Sequence, residues 1–364
     1  MDLSFLLERV PEPLILATGG LLVGMMFGAF AQQSRFCLRA AALDFAHGIF
    51  GVRLSVWLFA FSAALVMTQV LAGLGQVQIN EARQLASPQS LSGAAIGGLL
   101  FGAGMVLARG CASRLLVLSA TGNLRALLSG LVFAVIAQAS LRGILKPGRE
   151  WIAGWVTTAD VGGNDLVAML GASSAARFGF GLLWLAAAVF FAIRSRAPIW
   201  QMAAAAGAGL AIPLAWWFTS SMARQAFDPV QVEGVTFTGP SADTLMLFLS
   251  PPGTQLDFDI GLVPGVFLGA FLAAFLAREL ALQGFEGGRS MARYITGAAM
   301  MGFGGMLAGG CAVGAGVTGA SIFALTAWIT LTGIWLSAAL TDMALTRMEV
   351  RSDPSGKGVA LDAP

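Results

Sequence analysis

The chain has three cysteines, Cys37, Cys111 and Cys311, and two of them occupy the same place in a repeated pattern. Gly102 to Ala112 reads Gly-Ala-Gly-Met-Val-Leu-Ala-Arg-Gly-Cys-Ala, and Gly302 to Ala312 reads Gly-Phe-Gly-Gly-Met-Leu-Ala-Gly-Gly-Cys-Ala. Seven of these eleven positions are identical at a spacing of 200 residues. Cys37 follows a third Gly-spaced apolar run, Gly24 to Phe30. A thiol is a weak hydrogen-bond donor carried by a soft, polarizable atom. It suits a sulfur-containing anion that must be held briefly and released, because conduction needs sites that admit a ligand without trapping it. A free cysteine is by default a small buried hydrophobe. These three differ in lying at Gly-rich or polar breaks, and two have flanking arginines. The candidate contacts for such an anion are Cys37, Cys111 and Cys311, the adjoining Gly110 and Gly310, and the basic Arg109 and Arg114.

The elements that must position these groups are membrane helices. The hydrophobic fraction is 57% and the charged fraction 11%, with a mean hydropathy of +0.79. A soluble domain carries about 25% charge. A membrane helix needs roughly 20 apolar residues, and nine stretches qualify, at about 14–32, 53–75, 92–108, 123–142, 176–194, 199–218, 260–278, 291–308 and 320–345. Alternating strand patterns are absent, which argues against an outer-membrane barrel. The net charge of +2 and the lack of a basic aromatic patch argue against nucleic acid. One histidine and three widely spaced cysteines argue against a metal centre or a disulfide framework. Near the N-terminus Asp2, Glu8 and Glu12 outnumber Arg9, so the first apolar stretch reads as a retained helix and not a signal peptide.

Basic residues orient the spans. With the N-terminus outside, the inner segments hold 14 of the 21 bases, among them Arg35, Arg39, Arg53, Arg109, Arg114, Arg125, Arg293 and Lys357. The bases of the 143–175 connection run against this orientation. The acidic connection 219–259 suits the outside. The span ending at Cys111 then runs inward and the one ending at Cys311 runs outward. The two copies are antiparallel, as in transporters built from inverted repeats, where discontinuous helices meet near the midplane. The expected architecture is an all-α integral membrane protein, one domain over 1–364. Repeat one covers about 14–142 and repeat two about 199–345, and a polar tail occupies 347–364. Short half-helices after Cys111 and Cys311 would offer backbone N–H groups to an anion. Ser34 to Arg39 begins a possible third half-helix. Gly24, Gly28, Ala29 and Phe30 match Gly265, Gly269, Ala270 and Phe271, but Cys37 has no matching cysteine. Asp44 and His47, one turn apart, form a helix-end polar pair or a proton relay. Arg278, Glu279 and Asp342 mark span ends, and the nine tryptophans read as interfacial and packing residues.

The segments Ser34–Cys37, Gly102–Arg114 and Gly302–Gly314 resemble the YeeE/YedE family of sulfur-transport membrane proteins, and the likeness covers most of the chain. The resemblance implies thiosulfate uptake across the bacterial inner membrane. It also implies that Cys37, Cys111 and Cys311 line a central path and pass the ion by S–H hydrogen bonds. A separate TusA-type sulfur-carrier protein on the cytoplasmic side is the implied partner, since this sequence shows no Cys-Pro carrier domain. No cofactor is expected. The rival readings are a membrane sulfurtransferase or redox relay and a structural subunit. A redox relay needs an accessible low-pKa thiolate and a resolving partner, and the sequence offers no Cys-x-x-Cys.

Overall fold

The computed structural model describes residues 4–171, 173–249, 256–285 and 287–352. Lys357 and most of the polar tail lie outside the described residues. The long elements are α1 (Glu12–Ser34), α2 (Leu38–Ala46), α3 (Val52–Gly73), α4 (Leu91–Leu107), α5 (Ala112–Ala120) and α6 (Leu124–Leu141). They continue with α7 (Ser174–Arg194), α8 (Ile199–Ala223), α9 (Thr238–Leu249), α10 (Phe258–Leu276), α11 (Gly288–Leu307) and α12 (Leu325–Ser352). Among the described residues, extended backbone pairs only as isolated bridges. Among the described residues, eight helices are long and apolar enough to span a membrane. A pair bent by 40°, Ser290–Leu307 with Ala312–Ser321, supplies the ninth. The protein is therefore an all-α multi-pass membrane protein, with spans close to those read from the sequence.

Lipid cannot drive helices together by the hydrophobic effect, so close packing through small residues does. At the α4–α11 crossing, Gly97 lies against Gly304 and Ala308, and Gly104 against Gly297 and Met301. Low numbers on one helix meet high numbers on the other, so the two run antiparallel. Each contact also recurs at plus 200: Gly97 on Gly304 becomes Gly297 on Gly104. The two Gly-Cys motifs therefore approach each other from opposite ends of the bundle.

The α1–α10 pair is different. Gly20, Gly24 and Gly28 press on Phe258, Leu262 and Val266, while Gly261, Gly265 and Gly269 press on Ala17, Leu21 and Met25. Numbers rise together, so α1 and α10 run parallel. The likeness of Gly24–Phe30 to Gly265–Phe271 is thus no part of an antiparallel repeat. Each helix needs a small residue every fourth position to receive the other.

Oxygen caps fix the starts of several spanning helices. Ser90 Oγ accepts from Gly93 N at 2.8 Å, Asn123 Oδ1 from Ala126 N at 2.8 Å, and Asp257 Oδ1 from Ile260 N at 2.9 Å. Asp44 and His47 do not pair with each other. Asp44 Oδ1 lies 3.5 Å from Arg53 Nη1, and His47 Nε2 lies 3.3 Å from buried Asp342 Oδ2. Glu279 turns back onto α1, accepting from Gln32 Nε2 at 2.8 Å and lying 3.6 Å from Arg35. The tryptophans divide: Trp57 and Trp216 are buried, whereas Trp151, Trp155 and Trp200 are exposed.

Candidate functional site

All three cysteines have the same local setting. Each is the residue before a short helical segment: Cys37 before α2, Cys111 before α5, and Cys311 before a π-helical turn at Ala312–Thr318. Each has extended backbone, with ψ of 109°, 171° and −175° respectively. Two residues upstream the chain turns left-handed, at Arg35 (φ 55°), Arg109 (φ 55°) and Gly309 (φ 77°). Left-handed backbone ends a helix, and glycine adopts it without the cost an arginine bears. Cys37 therefore shares the geometry of the other two, although its sequence does not repeat theirs. π-helical turns are rare and are often found at functional sites. Here Gly316 N reaches back five residues to Cys311 O at 3.4 Å.

The thiols stand where a helix-capping oxygen would. Cys311 Sγ accepts from Gly314 N at 3.4 Å, and the Thr236 side chain and Phe237 backbone also face this sulfur. Cys111 Sγ lies 3.4 Å from Ser113 Oγ, with the Arg114 backbone facing it. Cys111 and Cys311 are each only 1% exposed, whereas Cys37 is half-buried. All three are free thiols. Cys111 lies within electrostatic reach of both Cys37 and Cys311, so the three breaks converge on one region.

The glycines beside the thiols differ. A Cβ on Gly310 would stand 2.7 Å from the Ala315 backbone nitrogen, while one on Gly110 would meet only the Leu115 side chain, at 3.3 Å. The arginines also divide. Arg109 is exposed, with its guanidinium 5.9 Å from the Tyr294 ring centre, and Arg125 lies 4.8 Å from the same ring. Arg114 is half-buried, and its Nη1 is buried without a hydrogen-bond partner among the described residues. Arg39 lies within electrostatic reach of Cys37, Asp342, Arg109 and Arg293. This gathering of guanidiniums around Arg39, two residues from Cys37, includes Arg293, and the sequence marked both only as inner bases.

A scan against known families matches the model described as sulphur transport over residues 33–340. The chain belongs to the sulphur transport family. The matched span contains all three cysteine breaks. A curated relative, Thiosulfate transporter TsuA of Spirochaeta thermophila, is 27% identical over 339 residues, covering 88% of this chain and 97% of that protein. Membership makes the chain a membrane transporter acting in sulfur transport and not an enzyme. Burial of Cys111 and Cys311 agrees with this, because a thiol that reacts must be accessible as thiolate.

Proposed function

We propose that the protein takes up thiosulfate across the bacterial inner membrane, with its N-terminus periplasmic and its C-terminus cytoplasmic. The anion passes between the thiols of Cys37, Cys111 and Cys311, beside Gly110 and Gly310. Arg109 and Arg114 draw it toward the cytoplasmic side. A separate TusA-type carrier would receive sulfur there. The halves 14–142 and 199–345 act as inverted repeats, with α7 outside both. The observation that carries this reading is the convergence of three thiols, each at the start of a half-helix with backbone N–H groups beside it. A half-helix start favours an anion through those N–H groups and the helix dipole. The relative's name supplies the substrate, and the excess of bases at one end supports the orientation.

The test is growth on thiosulfate of cells lacking other sulfate and thiosulfate routes. A hydrogen bond to a charged group contributes about 1.5–3 kcal/mol, so losing one thiol should slow uptake roughly 10- to 100-fold. Wild-type growth with both Cys111→Ala and Cys311→Ala would end the relay idea. A persulfide trapped on a cysteine during turnover would favour a sulfurtransferase instead.

A further inference from the structure

The antiparallel arrangement has four arms, and only three carry a thiol. Exchange of α4 with α11 pairs α5 with the π-helical turn, α6 with α12, α3 with α10, and α2 with α9. The packing obeys that exchange. The first-half helix α2 lies on α3, α4 and α12, and α9 lies on α10, α11 and α6. The residue before α2 is Cys37 and the residue before α9 is Phe237, again 200 positions apart. A longer connection from α8 leads into this fourth arm, and the stretch from Val235 to Thr238 is buried.

Thr236 sits at the tip of that arm, with its hydroxyl facing the Cys311 sulfur. It is 7% exposed, and Thr238 is 1% exposed. Among the described residues neither hydroxyl oxygen completes a hydrogen bond by distance and angle, although that of Thr236 stands beside the Cys311 sulfur. Their neighbours are satisfied: Thr219 donates to Glu233 O at 2.8 Å, Thr318 to Val235 O at 2.6 Å, and Ser321 to Thr318 O at 2.7 Å. Buried hydroxyls without partners are uncommon because water has been given up for nothing. Thr236 and Thr238 stand together at the tip of the arm, beside a candidate transport thiol, and leave donors open to a partner that comes and goes. Gly314 makes room for this threonine, since a Cβ there would lie 2.6 Å from Thr236 Cβ.

We infer that Thr236, backed by Thr238, is the fourth contact of the anion path and offers hydroxyl hydrogens to the oxygens of a sulfur oxyanion. This inference rests on the thiosulfate reading and deepens it. A sulfur oxyanion has a soft sulfur end and a hard oxygen end. Thiols suit the first, and a hydroxyl, the stronger donor, suits the second.

The experiment is uptake of radiolabelled thiosulfate by the purified protein in liposomes. Wild type, Thr236→Val and Thr236→Ser are compared after each is shown to be monodisperse by gel filtration. Thr236→Val keeps the shape and loses the donor, so KM should rise about tenfold, the loss of one hydrogen bond to a charged group. Thr236→Ser should stay within about twofold of wild type, since the donor remains. A Thr236→Val protein with wild-type KM, or Val and Ser proteins equally impaired, would overturn the assignment while leaving thiosulfate transport standing. A wild type that carries no thiosulfate would instead overturn the reading on which it rests.

Discussion

The crossing of α4 and α11 sets the distance between the two Gly-Cys breaks, and its glycines allow a quantitative test. A Cβ added at Gly297 would lie 2.6 Å from both Gly104 O and Ala108 N. Ordinary contact begins near 3.4 Å, so the helices must part by about 0.8 Å. A gap of 0.5–1 Å forfeits about a quarter to a half of each dispersion contact along the crossing. Overpacking of this kind costs about 1–3 kcal/mol, partly offset by the gain of up to about 1 kcal/mol from alanine's helix propensity. Gly297→Ala should therefore destabilise by about 1–2 kcal/mol. Gly97→Ala should cost as much, because its Cβ would lie 2.5 Å from Gly304 O and 2.6 Å from Ala308 N, the same atoms at plus 200. Gly130 on α6 is the control, since a Cβ there meets none of the described residues within 4 Å.

Thermal unfolding of the three variants in one detergent reads the difference directly. Gly297→Ala and Gly97→Ala should lower Tm together, and Gly130→Ala should leave it level or raise it. If all three move alike, the crossing is not held by backbone contact and the argument for its role fails. If only one of the first two moves, the matched packing at plus 200 has no energetic meaning.

The same clash logic separates the glycines beside the thiols. Gly310→Ala, whose Cβ would meet backbone at 2.7 Å, should destabilise by about 1–3 kcal/mol and lower Tm, whereas Gly110→Ala, which meets only a movable leucine, should leave Tm nearly level; equal loss in both would contradict this. Glu233, in the α8–α9 connection, is pushed from 4.5 up to about 7, chiefly by burial, with Asp257 and Asp243 adding to the shift and Arg83 opposing it; Asp259 also faces this group. The folded state thus holds a proton that the unfolded state has released, so stability should fall as pH rises from about 4.5 to about 7. Glu233→Gln should flatten Tm across that window, and an unchanged slope would place the titration elsewhere.

The spans were legible because a membrane helix has one requirement that sequence displays directly, a long apolar run. The breaks at Cys111 and Cys311 were legible because glycine and cysteine recur together. Two features were hidden for identifiable reasons. Arg35 and Arg109 adopt the left-handed backbone that Gly309 adopts, so residue type concealed a shared turn. Thr236 resembles no cysteine, and only the placement of α9 reveals which arm it tips. The likeness of Gly24–Phe30 to Gly265–Phe271 misled in the opposite way. It reports two helices fitted to each other, not two copies of a unit. Asp44 and His47 had the spacing to pair along a helix, but Arg53 and Asp342, brought near by other elements, take them instead.

The sulfur at the Cys311 break gains meaning beside the caps elsewhere in the chain. Ser90, Asn123 and Asp257 close ordinary helix starts with oxygen at 2.8–2.9 Å. Cys311 occupies the equivalent position with sulfur at 3.4 Å. Sulfur is a weak acceptor, so it shields the first N–H groups of the segment without saturating them. An oxygen cap would compete with an arriving anion at full strength, and no cap would leave buried N–H groups unmet, at a cost of about 1–3 kcal/mol each. A thiol lies between these limits. On the proposed path, the Cys311 thiol would keep its break folded when empty and yield to a better acceptor when one arrives, the balance a site of passage requires.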